Sequence, residues 1–344
     1  MEEKQNSWFD EPEQDTHWLV DGLITIDDNA GFVGKPKSGK STSIRNLVAA
    51  VVVGGQFLGR DVLLAQRTGR VLYLHLDRKD RRHRVASDLR KLGITREDSK
   101  RVRFLTEHDV PKESTFEERC LWLATQVNEF KPNLVVIDLL FQFVRTKKGI
   151  NDYDDIIDAL AHLQDSLNTV QYKGALLMSL HARKAISEDV GDSMLGSTGL
   201  GGSMSTHLFF HQYKKQKLYT VESSQTIRDP QFEDLEETIV NRDSQTGAIT
   251  LAAKFADLKI EEKRDEAQLR RNKVFGHIVL HPQKSTDDLM KELSMSKKVL
   301  LPILEALENS NLIGSTGEGK RGDPKKWSPV GIEETIGKEA VCNN

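Results

Sequence analysis

Cysteine is scarce in this 344-residue chain: there are two, Cys120 and Cys342, far apart in sequence. Cys120 falls in a helical pattern and Cys342 in a polar tail, so no disulfide is expected and a reducing, cytoplasmic setting is. Long apolar runs are also lacking. The longest, residues 47–53, is far short of the roughly twenty residues a membrane helix needs, so no membrane partner is expected. The acidic, polar start of the chain does not resemble a secretory leader. Nor is there an excess of charge of one sign. Lys+Arg number 49 against Asp+Glu 52, a net −3, which excludes binding of polyanions by bulk charge and makes any nucleic-acid surface local. No internal repeat is visible, and the length suits about two domains.

What is present is a dense cluster of small and basic residues: Gly34, Lys35, Pro36, Lys37, Ser38, Gly39, Lys40 and Ser41, followed by Thr42. It fits G-x-x-x-x-G-K-[ST], the phosphate-binding loop of nucleotide-hydrolysing enzymes. Gly34 and Gly39 let the backbone fold back so that successive N–H groups converge on one anion. Lys40 places a cation on the β- and γ-phosphates, and the Ser41 hydroxyl suits Mg²⁺. A short apolar run, residues 30–33, precedes the loop. Residues 42–53 read as a helix whose N-terminus faces the phosphates. ATP and Mg²⁺ are the expected ligands.

Residues 1–14 read as disordered, and 15–258 as an α/β nucleotide domain with a parallel sheet. The apolar cluster Trp18, Leu19, Val20, Leu23, Ile24 either packs or borders the nucleotide base. A strand over 71–74 runs on to Asp77, and a basic segment follows, Arg78, Lys79, Arg81, Arg82 and Arg84, suiting a helix over 79–92. Residues 102–105 read as a strand and 116–130 as an amphipathic helix. Leu134, Val135, Val136 and Ile137 form a continuous buried-strand run closed by Asp138. An acid there lies beside the phosphate loop and holds Mg²⁺ directly or through water. A helix over 153–170 precedes an apolar strand over 174–180, which ends at His181. That residue either senses the γ-phosphate or is structural. A Gly/Ser-rich loop, 184–203, leads to two hairpins, 206–213 with 217–222 and 237–241 with 248–251.

A charged helical linker, 259–267, then leads to a second domain, 268–330, with 331–344 as a tail. Three helices, 268–280, one from the N-cap Ser285, and 295–309, precede two strands, 312–316 and 326–329, around a glycine-rich basic tip. This arrangement resembles a winged helix-turn-helix, in which the third helix enters the DNA major groove. From residue 263 to 326 there are thirteen Lys/Arg against nine Asp/Glu, a local +4. Lys297, Lys298, Lys320, Arg321, Lys325 and Lys326 hold much of it and are the candidate DNA contacts. The other reading is a small protein-binding or dimerisation domain.

Residues 1–258 resemble the RecA-superfamily ATPases of the plasmid RepA type, the hexameric replicative helicases and their phage and mobile-element relatives. The resemblance rests on residues 18–22, the phosphate loop, the strands ending at Asp77 and Asp138, residues 180–184, and Gly196-Ser197-Thr198. It implies phosphate and Mg²⁺ binding by Lys40 and Ser41, an Mg²⁺-side acid at Asp138 and a γ-phosphate sensor at His181. It also implies a homo-oligomer, a ring of the hexameric kind or a filament, working with replication or recombination partners.

Two departures stand out. The family carries glutamate where this chain has Asp77, and a carboxylate held about an ångström back costs on the order of a hundredfold in rate. The family's arginine before the Gly-Ser/Thr motif is replaced by Leu195, and residues 201–206 hold no arginine finger. Arg228, Lys215 or the Arg78–Arg84 cluster would have to supply that cation. Two functions follow. One is a DNA motor of plasmid, phage or mobile-element replication. The other is a nucleotide-switched, DNA-binding assembly factor with slow or no hydrolysis.

Overall fold

The computed structural model describes residues 16–77, 82–144, 153–182, 204–214, 217–225, 233–320 and 322–330. The chain divides into two compact units, Met1–Phe255 and Ala256–Asn344.

The first unit is built on a nine-stranded sheet. Before it comes a small hairpin, β1 (Trp18–Val20) and β2 (Ile24–Thr25). The sheet's centre is β3 (Asn29–Gly34), which carries the phosphate loop at its carboxyl end. A minor hairpin, β4 (Gln56–Phe57) and β5 (Arg60–Asp61), follows the loop helix. The other parallel strands are β6 (Val71–His75), β7 (Val102–Thr106), β8 (Leu134–Asp138), β9 (Ala175–His181) and β10 (Thr206–Tyr213). Antiparallel strands β11 (Leu218–Gln225), β12 (Thr238–Arg242) and β13 (Ile249–Lys254) complete it. The spatial order is β13-β12-β11-β10-β3-β9-β8-β6-β7. Everything from β10 to β7 is parallel, and the strands beyond β10 are antiparallel.

Strand alternation divides the core in two. Phe32, Val71, Tyr73, Leu134 and Val136 pack on one face with the loop helix α1 (Lys40–Val53) and with α2 (Arg82–Lys91). Val33, Leu72, Leu74, Val135 and Ile137 pack on the other with α3 (Phe116–Phe130), α4 (Leu140–Val144) and α5 (Tyr153–Thr169). Both faces are covered, which is why these strands read as unbroken apolar runs. α3 begins at Thr115 with a capping box, whose Oγ1 accepts from the Glu118 N–H at 3.2 Å while Glu118 accepts from the Thr115 N–H at 2.7 Å. α2 is described from Arg82, and residues 78–81, where the expected helix would begin, lie outside the described residues.

The Trp18 cluster is packing. Leu19, Val20, Leu23 and Ile24 are fully buried, and the segment sits at the amino edge of the sheet. There the Asp27 N–H donates to the Gly174 carbonyl (3.3 Å) and Gln225 Nε2 to the Gly22 carbonyl (2.7 Å). The phosphate loop leaves the opposite edge, so of the two readings packing holds and the border of the base does not.

In the second unit the expected linker is not a separate segment. Residues 259–267 belong to one continuous helix, α6 (Phe255–Leu280). The run Glu261 to Ala267 contains no glycine or proline, so nothing in it stops the helix. α7 (Thr286–Leu293) starts from a capping box of Ser285 and Asp288, and α8 (Lys297–Asn309) follows. A three-stranded sheet has the order β14 (Lys284–Ser285), β16 (Lys326–Pro329), β15 (Ile313–Thr316). Its core is Val274, Ile278, Leu289, Leu293, Leu300, Leu304, Leu307, Ile313 and Trp327. Trp327 Nε1 donates to Thr286 Oγ1 at 3.0 Å, so the buried indole leaves no donor unpaired. Among the described residues, no helix is long and apolar enough to cross a membrane.

Candidate functional site

The phosphate loop turns back on itself between β3 and α1. The Ser38 N–H donates to the Lys35 carbonyl at 3.1 Å. Gly39, at the N-cap of α1, has φ +105°, a conformation that side chains disfavour. Lys35, Pro36 and Lys37 are exposed, Ser38 and Lys40 are buried, and Gly39, Ser41 and Thr42 are half-buried. The Lys40 ammonium donates to the Gly34 carbonyl and, at 3.2 Å, to the Lys35 carbonyl. Its cation therefore sits inside the turn. Burial lowers its pKa to about 8, with the Asp138 charge pulling the other way.

Register brings the remaining residues to the same edge. Gly34 pairs with His181 across β3 and β9, and His75 pairs with Asp138 across β6 and β8. Asp77 lies two residues past the end of β6 and is half-buried. The pKa of the half-buried His181 is lowered by burial first and by Lys40 second, against the Gly34 carbonyl, Asp138 and Asp77. Lys40, Asp77, Asp138 and His181 thus share one electrostatic neighbourhood, although they lie up to 141 positions apart in the chain.

Asp138 is fully buried. Tyr73 Oη donates to its Oδ2 at 3.2 Å, and His75 Nδ1 is 3.6 Å from the same oxygen. Burial pushes the Asp138 pKa up, but His75, Ser179 and Tyr73 outweigh it and hold the group below the ordinary value. It is a carboxylate at neutral pH. One turn along α1 from Ser41 stands Arg45, whose Nη1 meets Asp88 Oδ2 of α2 at 2.5 Å. Tyr73, His75 and Arg45 were not singled out in the sequence. Their signal is visible in hindsight: Arg45 is the one charge after Lys40 in its helix, and Tyr73 and His75 alternate with Leu72 and Leu74.

The loop and its surroundings fit a polyphosphate with a divalent cation. Ser38 Oγ, Asp138 Oδ1 and His181 Nδ1 are buried and lack a hydrogen-bond partner among the described residues. Such groups are costly unless a ligand satisfies them. A Cβ at Gly34 would meet Ser38 Oγ and, at 2.6 Å, the Phe210 carbonyl, so the chain can turn there only as glycine. Lys40 and the loop would hold the phosphates, and Ser41 and Asp138 the cation.

Some predicted residues lie elsewhere or outside the described residues. Gly196-Ser197-Thr198, Lys215, Arg228, Arg78 to Arg81 and Arg321 are in the latter group. In the second unit Lys297 and Lys298 open α8 and are exposed. Lys320 pairs with Glu318 at 2.8 Å, Lys325 lies over the Trp327 ring at 5.5 Å, and Lys326 is exposed on β16. The two cysteines carry no chemistry here. Cys120 is buried, its thiol pushed up to about 12 by burial, and Cys342 lies outside the described residues.

No curated protein matches the sequence. A family model described as an AAA domain matches residues 2–186, more than half of the chain and the whole stretch from the hairpin through the loop, Asp77 and Asp138 to His181. With its mostly parallel sheet and its phosphate loop between β3 and α1, this chain belongs to that AAA-domain family of P-loop ATPase-like proteins.

Proposed function

We propose that the protein is an Mg²⁺-dependent ATPase of the RecA-like, RepA-related kind, assembling as a ring or filament and acting on DNA in replication of a plasmid, phage or mobile element. The observation that carries the nucleotide part is the convergence of Lys40, Asp77, Asp138 and His181 at one sheet edge. In this reading Lys40 binds the β- and γ-phosphates, Ser41 and Asp138 bind Mg²⁺, Asp77 orients the attacking water and His181 senses the γ-phosphate. The sequence has no arginine at residue 195 or within 201–206, where the resembled family carries its arginine and finger, which supports assembly, because a neighbour would supply that cation.

The DNA part is supported by the second unit. Three helices and a small antiparallel sheet are what a winged helix-turn-helix requires. α8, the third helix, starts with Lys297 and Lys298 and has no acid in its first turn, whereas α7 starts with Asp287 and Asp288. Cations at a helix N-terminus oppose the helix dipole, and an anion such as a DNA phosphate offsets that cost.

One observation favours a second reading, a nucleotide-switched assembly factor. Asp77 is one methylene shorter than the glutamate such sites carry, which withdraws the water-activating oxygen. Steady-state ATP hydrolysis without DNA and with single- and double-stranded DNA separates the two. DNA-stimulated turnover supports the motor. ATP binding with no turnover in any arm removes it and leaves the switch.

A further inference from the structure

Asp138 presents its two oxygens unequally. Oδ2 accepts from Tyr73 Oη at 3.2 Å and lies 3.6 Å from His75 Nδ1. Oδ1 is buried and has no partner within hydrogen-bond distance among the described residues, although Ser179 also acts on the carboxylate. Tyr73 is itself fully buried, and its aromatic neighbours fix the ring: Phe104 at 5.4 Å and His75 at 5.5 Å between centroids, both edge-on. The hydroxyl is not alone either. Arg45, one turn below Ser41 on α1, acts on the hydroxyl through a side-chain hydrogen bond. Asp88 in turn holds Arg45 at 2.5 Å. These four side chains come from β8, β6, α1 and α2.

We infer that Tyr73 is a positioning residue for the metal-side acid: it pins Asp138 Oδ2 and so aims Oδ1 at the cation that accompanies the nucleotide, with Arg45 and Asp88 holding the phenol in place. The physical reason is rotational. A carboxylate at a strand end turns about its last bond, and a hydrogen bond to one oxygen restricts that freedom before the ligand arrives. Tyr73 has the right form for it. It reaches across from the neighbouring strand, and its rigid ring cannot shorten the reach. The same chain of contacts ties the acid to α2, the helix that follows Asp77, so that the acid, the loop helix and α2 are fixed as one block. This inference rests on the nucleotide reading above, because without a cation Oδ1 has nothing to be aimed at.

The test uses the full chain and a fluorescent ATP analogue, titrated with Mg²⁺ and, separately, in EDTA. Tyr73→Phe keeps the ring and removes only the hydroxyl. The expected result is a half-saturating Mg²⁺ concentration raised about tenfold, the order of effect of losing one hydrogen bond to a charged group, with unchanged affinity in EDTA. Asp88→Asn, which loosens Arg45, shifts the Mg²⁺ dependence in the same direction by less. A Tyr73→Phe protein with the natural Mg²⁺ dependence overturns the inference. So does equal weakening with and without Mg²⁺, which marks a structural role only. Should Tyr73→Phe fail to fold, Asp88→Asn alone decides, because its natural Mg²⁺ dependence also overturns the inference. If the natural protein binds the analogue with no dependence on Mg²⁺ or not at all, the nucleotide reading itself falls, and this inference with it.

Discussion

Gly34, the first residue of the phosphate loop, is the register partner of His181, the last residue of the adjacent parallel strand, and the Ala182 N–H donates to the Gly34 carbonyl at 3.3 Å. That carbonyl also accepts from Lys40. One backbone oxygen thus ties the loop, its lysine and the end of β9 together, and a change at any of them is felt by the others.

Lys40→Ala is expected to abolish ATP binding, measured with a fluorescent analogue. Retained affinity would sink the site assignment. The natural protein should also show a pH signature. Burial lowers the Lys40 pKa to about 8 from 10.5. Between those values the unfolded chain holds a proton that the folded one has released, so this group's contribution to stability rises with pH through that window. ATP binding restores the charge. Affinity should therefore fall above pH 8, by up to about tenfold per pH unit. Calorimetry at pH 8.5 in buffers of different ionisation enthalpy should register proton uptake.

Gly34→Ala is expected to damage both fold and site. The added methyl would stand 2.6 Å from the Phe210 carbonyl in the neighbouring strand, a backbone atom that cannot swing away. A loss of about 1–3 kcal/mol of stability, the usual range for forcing atoms into a packed position, should accompany loss of ATP binding. A chemical-denaturation midpoint and an ATP titration that both match the natural protein would refute this.

Asp77 decides between the functional readings. If it is the base and sits too far back, Asp77→Glu should accelerate DNA-stimulated hydrolysis, and Asp77→Asn should lose hydrolysis while keeping ATP affinity and melting temperature. If Asn turns over ATP at the natural rate, Asp77 is not the base. A glutamate variant that melts early without a rate gain would instead assign Asp77 a structural role.

In the second unit, Lys320→Glu combined with Arg321→Glu is expected to weaken duplex DNA binding equally for all sequences and to make the slope of log affinity against log salt shallower. Lys325 already faces the Trp327 ring, so Lys325→Glu should also lower stability slightly, by about 0.5–1 kcal/mol. Natural DNA affinity in the Lys320/Arg321 variant would move the unit toward protein recognition.

Local chemistry made much of this protein legible before its structure was known. The loop needs glycine, lysine and serine at set spacings, and that pattern survives in one dimension. Leu134 to Ile137 could be read as a doubly covered strand because both faces of a parallel sheet are dry. Ser285 could be read as a cap because its hydroxyl bonds only three residues away. The end of the linker was not legible: a helix of charged residues looks like a spacer, and only the continuous hydrogen-bonded backbone joins it to residues 268–280. For Trp18 to Ile24 packing was one of two readings, and only the structure excluded the other, since an apolar cluster carries no mark of which sheet edge it occupies.

The site divides along the same line. The sequence alone determined which side chains can bind phosphate and metal, because their chemistry belongs to residue types. The tertiary structure alone decided that Tyr73 of β6 and Arg45 of α1 stand behind Asp138 of β8. Such contacts depend on strand order and on which face each residue takes, and with β8 between β6 and β9 that order follows from packing, not from adjacency in the chain.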